Sequence, residues 1–167
     1  MFKKTDKKIA CCTSIDEVFD EFKKMLKYFM DLNCITEHVN DDVHIRYDLN
    51  AFRSSLVEDC IGRCLDLVEG GSLYSADGGP TAGSISSGDA LTAIEYLVFD
   101  KKILTMEQVL HACRTNFQDS TTVPTGGEIQ LLMKNKAPKF GNDNDYADKW
   151  VVAVEDYIGS SLRHNYK

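Results

Sequence analysis

The residues whose types and spacing could do chemistry begin with Glu69 to Leu91, EGGSLYSADGGPTAGSISSGDAL, where five of the chain's eleven glycines lie between Gly70 and Gly83. A run such as GGPTAGS ahead of a helix can turn backbone amides toward an anion. It has no Lys-Ser/Thr pair, no GxGxxG spacing and no convincing strand before it, so a tight backbone crossing between packed helices is the better reading. Cys60 and Cys64 stand one helical turn apart, and His38 and His44 flank Asp41-Asp42. A metal site needs several converging ligands, and no further thiol or imidazole lies near either pair, so core thiols and surface histidines are expected. Cys113 beside His111 makes a poor nucleophile and base, because residues so close on a helix point to different faces. Asn142-Asp143-Asn144-Asp145 suggests calcium, but an EF-hand loop needs a glycine and a glutamate at positions that this run does not supply. An Asx-rich turn capping the last helix accounts for it.

The totals narrow the class of molecule. The 167 residues are enough for a sizeable core, and 43% hydrophobic with 27% charged is an ordinary globular composition. A net charge of −7 and a pI near 5.0 argue against a nucleic-acid or anionic-membrane surface, which would want clustered Lys and Arg. No window is apolar enough for a membrane span and no secretory signal is read at the N-terminus, so a cytoplasmic protein is expected. The six cysteines, at positions 11, 12, 34, 60, 64 and 113, sit in apolar helical patterns and are read as reduced thiols.

The positioning elements follow from periodicity. Residues 1–13 read as a disordered lead-in. Ser14-Ile15-Asp16-Glu17 is a capping box, and Ile15, Val18, Phe19, Phe22, Leu26 and Phe29 follow the helical period to about His38. From Ala51 a second helix places Phe52, Leu56, Cys60, Ile61, Cys64 and Val68 on one side, with Gly70-Gly71 as its stop. Ser72-Leu73-Tyr74 and Ser84-Ile85-Ser86 are long enough for short strands at most. Ser87 or Asp89 caps a third helix that ends at Asp100-Lys101-Lys102, and Thr105 to Gln108 is a second capping box. Glu128 to Asn135 forms two turns, and a last helix from the Gly141–Asp145 turn fades at Gly159 into a polar tail, 159–167. A mainly α chain with one helical region over 14–158 is the expectation.

Taken in order, these blocks resemble the glycyl radical enzymes of the pyruvate formate-lyase (formate acetyltransferase) type, whose members include glycerol, propanediol and choline lyases and arylacetate decarboxylases. Ser14 to Glu17 with Tyr28-Phe29, Ser54 to Ile61, Asp66 to Gly71 with Tyr74, and then Gly83, Ser87 to Leu91, Ala93-Ile94, Leu97 to Lys102 and Thr105 to Glu107 are similar to family blocks. Asn135-Lys136-Ala137-Pro138-Lys139-Phe140-Gly141-Asn142-Asp143-Asn144-Asp145-Tyr146-Ala147-Asp148 resembles the family's long N-x-APKYGNDDDYVD signature. Phe140 and Asn144 depart from it, as Ser75 departs from an asparagine in the loop.

The resemblance implies a helical segment outside the strand barrel of an α/β enzyme, covering well under half of a full member. It implies that Gly70, Gly71, Tyr74 and Ser75 wall a substrate cavity. Family chemistry runs from a glycyl radical in an R-V-x-G-Y motif, installed by a separate radical S-adenosylmethionine activase, to an active-site cysteine. Neither motif occurs in this sequence, and Cys11-Cys12, followed by Thr13-Ser14, do not match the cysteine motif. No catalytic, cofactor-binding or metal residue is therefore assigned. The expected partners are the remaining segments of a split or truncated enzyme, with self-association through exposed apolar faces. A rival reading from another class is a free-standing helical interaction module.

Overall fold

The computed structural model describes residues 9–74 and 81–165, and every regular element among them is helical. In chain order these are α1 (Ile15–Tyr47), α2 (Ala51–Ser55), α3 (Cys60–Arg63), a 3₁₀ turn (Leu67–Glu69), α4 (Ser84–Ile94), a π-helical segment (Glu95–Asp100), α5 (Met106–Arg114), α6 (Gly126–Asn135) and α7 (Asp145–Asn165). The stretch expected as one helical region divides into two compact units, one made of residues up to Lys27 together with those from Ala82 onward, the other of Tyr28–Thr81.

The first unit is built on the pairing of α4 with α7. Gly88 faces Val151 so closely that a Cβ there would lie 2.8 Å from the Val151 amide nitrogen and 2.9 Å from its Cα. One turn later the buried Thr92 hydroxyl donates to the Gly88 carbonyl at 2.9 Å and lies 3.5 Å from that of Ala147, so the polar group is satisfied inside the contact. Leu91, Trp150 and Val154 then join Ile15, Val18 and Met106 in one core, against which Phe19 and Phe22 pack. Phe19 meets Trp150 edge to face at 5.2 Å, and the Tyr157 hydroxyl donates to the Lys23 carbonyl at 3.1 Å. A second core gathers Leu97, Leu104, Val109, Ala112 and Ile129.

Capping chemistry sets where these helices start. Thr105 accepts from the Gln108 amide at 3.2 Å while Gln108 returns to the Thr105 N–H at 2.8 Å, the expected reciprocal box. Thr125 and Glu128 make another, which begins α6 two residues before the expected Glu128. At α1 the box is shifted: Ser14 Oγ accepts from Glu17 at 3.3 Å, but the Glu17 carboxylate takes the Thr13 N–H at 2.7 Å. Neither Ser87 nor Asp89 caps α4. Gly83, at φ +87, precedes its first residue, the Ser87 hydroxyl bonds back to the Gly83 carbonyl at 3.0 Å, and the Asp89 carboxylate takes the Phe140 N–H at 2.9 Å. Ser84–Ser86 is thus the first turn of a helix. Among the described residues there is no strand, and Ser72–Tyr74 is a bend.

In the second unit α1 continues past His38 to Tyr47, and its last turns carry two i,i+4 pairs, Asp42 with Arg46 at 2.9 Å and His44 with Asp48 at 3.2 Å. The helix expected over Ala51 to Val68 is broken into α2, α3 and the 3₁₀ turn. Asp59 (φ 74) and Cys64 (φ 55) adopt left-handed backbone conformations, and Asp66 serves as a cap. Its carboxylate takes the Asn50 N–H at 2.8 Å and the Val68 N–H at 3.2 Å, which folds 50–69 on itself. Of the apolar positions of this stretch Cys60 is buried, but Phe52, Leu56 and Ile61 are exposed, as are Leu32, Ile35, Val39 and Val43 along one stripe of α1. The last helix runs through Gly159 to Asn165.

The α4–α7 contact predicts that Gly88→Ala destabilises the protein by about 2 kcal/mol, overpacking exceeding the gain of about 1 kcal/mol in helix propensity. Urea unfolding followed by circular dichroism reads this. Gly127→Ala, where a Cβ meets nothing within 4 Å, should leave the midpoint level or raise it.

Candidate functional site

The glycine-rich connection is anchored at its first residues. Asp66 and Glu69 form a capping box across the 3₁₀ turn, Glu69 accepting from the Asp66 N–H at 2.9 Å, and Gly70 closes it with φ +78. The left-handed conformation is the reason that a glycine stands there. Gly71 is required for space: a Cβ on it would come within 2.7 Å of the Asp66 carbonyl oxygen and 2.9 Å of the Cys60 sulfur, besides striking the Leu65 carbonyl. The guanidinium of Arg63 reaches over this turn, with Nη1 at 3.0, 3.2 and 3.1 Å from the carbonyl oxygens of Gly70, Gly71 and Ser72.

The candidate wall residues therefore differ in their surroundings. Gly70 and Gly71 belong to the anchored turn. Ser72 is buried, and its hydroxyl has no hydrogen-bond partner among the described residues. Two residues later the chain is in the open, with Leu73 64% and Tyr74 88% exposed. Ser75 lies outside the described residues. Beside the turn is an open hollow of about 250 Å³ lined by Ala51, Ser54, Cys60, Ile61, Leu65 and Asp66. Cys60 thus touches both the hollow and the glycine turn. The hydrogen bonds of Ser54, Val68 and Asn50 outweigh burial and hold the Asp66 carboxyl below its usual range.

The remaining reactive groups do not converge. Cys60 is buried while Cys64 is exposed, and all six cysteines are free thiols. His38 Nδ1 meets the Cys34 carbonyl at 2.7 Å and His44 meets Asp48, so neither turns toward Asp41 or Asp42. Among the described residues no three metal-ligating side chains gather. Burial pushes the Cys113 thiol up, the reverse of what a nucleophile needs. His111 turns instead to Asp119, with Nε2 at 2.6 Å from Oδ2.

The Asn135–Asp148 signature is a docking segment. Its backbone N–H at Phe140 goes to Asp89, that at Gly141 to Asp148, and the Asn144 side chain caps α7 by accepting from Tyr146 at 3.1 Å. Asparagine performs the capping of the aspartate usual there. Beyond it the Tyr146 hydroxyl donates to Asp100 at 2.7 Å, and Glu95 accepts from Lys149 at 2.8 Å and from the Trp150 indole at 2.7 Å. Burial, then the Asp100 carboxylate, push the Tyr146 phenol far up, keeping it a donor. Both carboxylates stand at the ends of the π-helical segment, whose wider turn begins at Glu95. Apolar periodicity carries no sign of this segment.

A family profile described as pyruvate formate lyase-like matches residues 1–166. The chain belongs to the pyruvate formate lyase-like family. Trans-4-hydroxy-L-proline dehydratase of Clostridioides difficile is 36% identical over 142 residues, covering 84% of this chain and 17% of that protein. (2S)-3-sulfopropanediol dehydratase of Klebsiella oxytoca is 30% identical over 135 residues, 81% of this chain and 16% of that one. The crystal structure of the Clostridioides difficile hydroxyproline dehydratase with its substrate bound aligns over 91% of this chain and 18% of its own, with a TM-score of 0.79 and 32% identity. The glycerol-bound B12-independent glycerol dehydratase of Clostridium butyricum gives 0.78 and 30%, over 92% of this chain and 19% of its own.

The chain is thus a helical segment of the glycyl radical enzymes, spanning about a sixth of the length of the curated relatives that it matches. The relatives named above are dehydratases rather than formate acetyltransferases. No described helix is long and apolar enough to cross a membrane.

The His111–Asp119 pair gives a pH prediction. Hydrogen bonds from His111 first, then from the Thr121 hydroxyl and amide, pull the Asp119 carboxyl down to about 2 from 3.8. A depressed native value means that its stabilisation is present above the unfolded value, near pH 4, and is lost as pH falls toward 2. Urea midpoints of the protein and of Asp119→Asn should therefore differ at pH 5 and converge between pH 4 and about 2. A difference independent of pH refutes the coupling.

Proposed function

We propose that this chain is the cavity-flanking helical segment of a glycyl radical dehydratase-type lyase, supplying wall and scaffold and no reactive group of its own. The observation that carries this reading is the likeness to dehydratases of small hydroxylated molecules over most of this chain and only about a sixth of theirs. Loss of water from a small oxygenated substrate is accordingly favoured for the whole enzyme over formate–acetyl transfer, with decarboxylation a more distant variant: the 4-hydroxyphenylacetate decarboxylase glycyl radical subunit of Clostridioides difficile is 26% identical.

The radical cofactor of the family does not fit the residues present. No glycine of the chain stands in an R-V-x-G-Y run. Burial, then the carboxylates of Glu17 and Glu21, push the Cys12 thiol up, and neither it nor Cys11 is set in the family's cysteine motif. No radical step is routed through this chain. Its own contribution is a wall at Gly70, Gly71, Tyr74 and Ser75, carried on a fixed turn, with helices behind it that accept the rest of the enzyme.

The apolar stripe of α1 supports that last role. Ile35 and Val39 are 62% and 60% exposed, in line with Leu32 and Val43. A stripe of that length on a monomer marks an interface. Its occupant in this reading is the remaining enzyme, in a cytoplasmic setting, since about five-sixths of each curated relative lies outside the matched segment. Without that occupant the stripe drives self-association.

The experiment replaces the matching segment of the Clostridioides difficile hydroxyproline dehydratase with this chain and treats both the chimaera and the isolated chain with the radical S-adenosylmethionine activase under anaerobic conditions. Electron paramagnetic resonance should show a glycyl radical in the chimaera and none in the isolated chain. The isolated chain should elute as self-associated species in size-exclusion chromatography. A glycyl radical in the isolated chain refutes the reading. So does a monodisperse, cooperatively melting monomer beside a chimaera that folds without forming a radical, which is the behaviour of a free-standing interaction module.

A further inference from the structure

Three successive carbonyl oxygens, those of Gly70, Gly71 and Ser72, converge on the single Arg63 Nη1 at 3.0, 3.2 and 3.1 Å. A guanidinium nitrogen carries two N–H groups, so three acceptors share two donors and the grip is largely a cation held at the focus of three dipoles. Peptide carbonyls aimed at one point repel one another, and a positive charge among them relieves that repulsion. Backbone bonds support the turn from below, Gly70 N–H to the Leu67 carbonyl at 3.2 Å and Gly71 N–H to that of Asp66 at 2.9 Å. Above it, Arg63 is the only described side chain that donates to these carbonyls.

The placement of the clamp is as informative as its strength. It grips the backbone up to Ser72 and stops there; Leu73 and Tyr74 leave it exposed. Two residues span at most about 7 Å, so a chain fixed at residue 72 confines Tyr74 to the neighbourhood of its stem. Arg63 itself is held at the end of α3, whose first residue, Cys60, packs against Gly71. The arginine, the cysteine and the glycine therefore form one unit that holds the stem of the loop.

We propose that Arg63 is the positioning residue of the cavity wall, its guanidinium fixing the Gly70–Ser72 carbonyls so that Tyr74 is kept close to a fixed stem at the substrate cavity. This rests on the reading of Tyr74 as a wall residue. The clamp itself does not, and the two are separated by experiment.

In the full chain, hydrogen exchange followed by mass spectrometry should show amides at 69–73 exchanging about tenfold faster or more in Arg63→Ala, the scale on which loss of a charge-assisted hydrogen bond acts. Peptides from the α4–α7 contact should be unchanged. Low-millimolar guanidinium, well below denaturing concentrations, should restore protection in Arg63→Ala, and Arg63→Lys should lie between the two because it returns the charge without the planar fork. In the dehydratase chimaera, Arg63→Ala should raise KM for the hydroxylated substrate several-fold more than it lowers kcat, with guanidinium reversing the shift. Unchanged exchange at 69–73, or no rescue by guanidinium, overturns the clamp whatever becomes of the enzyme. Faster, rescuable exchange with unaltered kinetics overturns the positioning of the wall. A chimaera inactive with Arg63 in place refutes the functional reading instead, and the exchange arm still decides the clamp.

Discussion

The first unit depends on how closely α4 and α7 approach each other. At Gly88 there is no side chain, and Val151 fills the space down to its backbone. The packing around that contact is its consequence. With the helices so near, a buried polar side chain between them must be small and able to satisfy itself, and Thr92 does so by bonding back to Gly88. Leu91, Trp150 and Val154 are then brought into one layer with Ile15 and Val18. A wider crossing would leave that layer underpacked, since protein interiors hold few voids larger than a water molecule.

The long signature segment serves that crossing. Two of its backbone amides and the side chains of Asn144, Tyr146 and Asp148, followed by Lys149 and Trp150 just past it, seat α7 on α4 and the π-helical turn. Phe140 and Gly141 donate their backbone N–H groups to Asp89 and Asp148, and Tyr146, Lys149 and Trp150 converge on the carboxylates of Asp100 and Glu95. Substitution of Phe140 and Asn144 leaves these contacts intact, because one is made by a backbone amide and the other by an oxygen that asparagine also carries. Those departures therefore bear on the substrate less than their place in a signature suggests.

What was legible in the sequence divides along the same physical line. The helices of the first unit announced themselves, since their periodicity has a buried face and their starts carry Ser, Thr, Glu and Gln in capping order. Asp89 misled because a carboxylate near a helix start resembles a cap, while its true partner, Phe140, lies fifty-one residues away. Residues 51–68 misled for the opposite reason. Their apolar period is real, but Asp66 draws Asn50 and Val68 to itself, and the left-handed Asp59 and Cys64 break the helix. The glycine turn was legible as a stop at Gly70, whereas Arg63 was invisible: a lone arginine on an exposed face has no periodic signature, and only the convergence of three carbonyls reveals it.

That contrast bears on how such a loop can serve a site. A segment rich in glycine invites the idea of freedom, yet the first two glycines here are constrained, one by a positive φ and one by contact with Cys60 and the Asp66 carbonyl. Glycine is used to let the backbone come close, and closeness is what allows a side chain from α3 to reach three carbonyls at once. A stem so fixed carries an exposed aromatic two residues beyond it, and the position of that stem is inherited from the scaffold. A loop held by its stem in this way can vary in sequence without disturbing the helices that carry it.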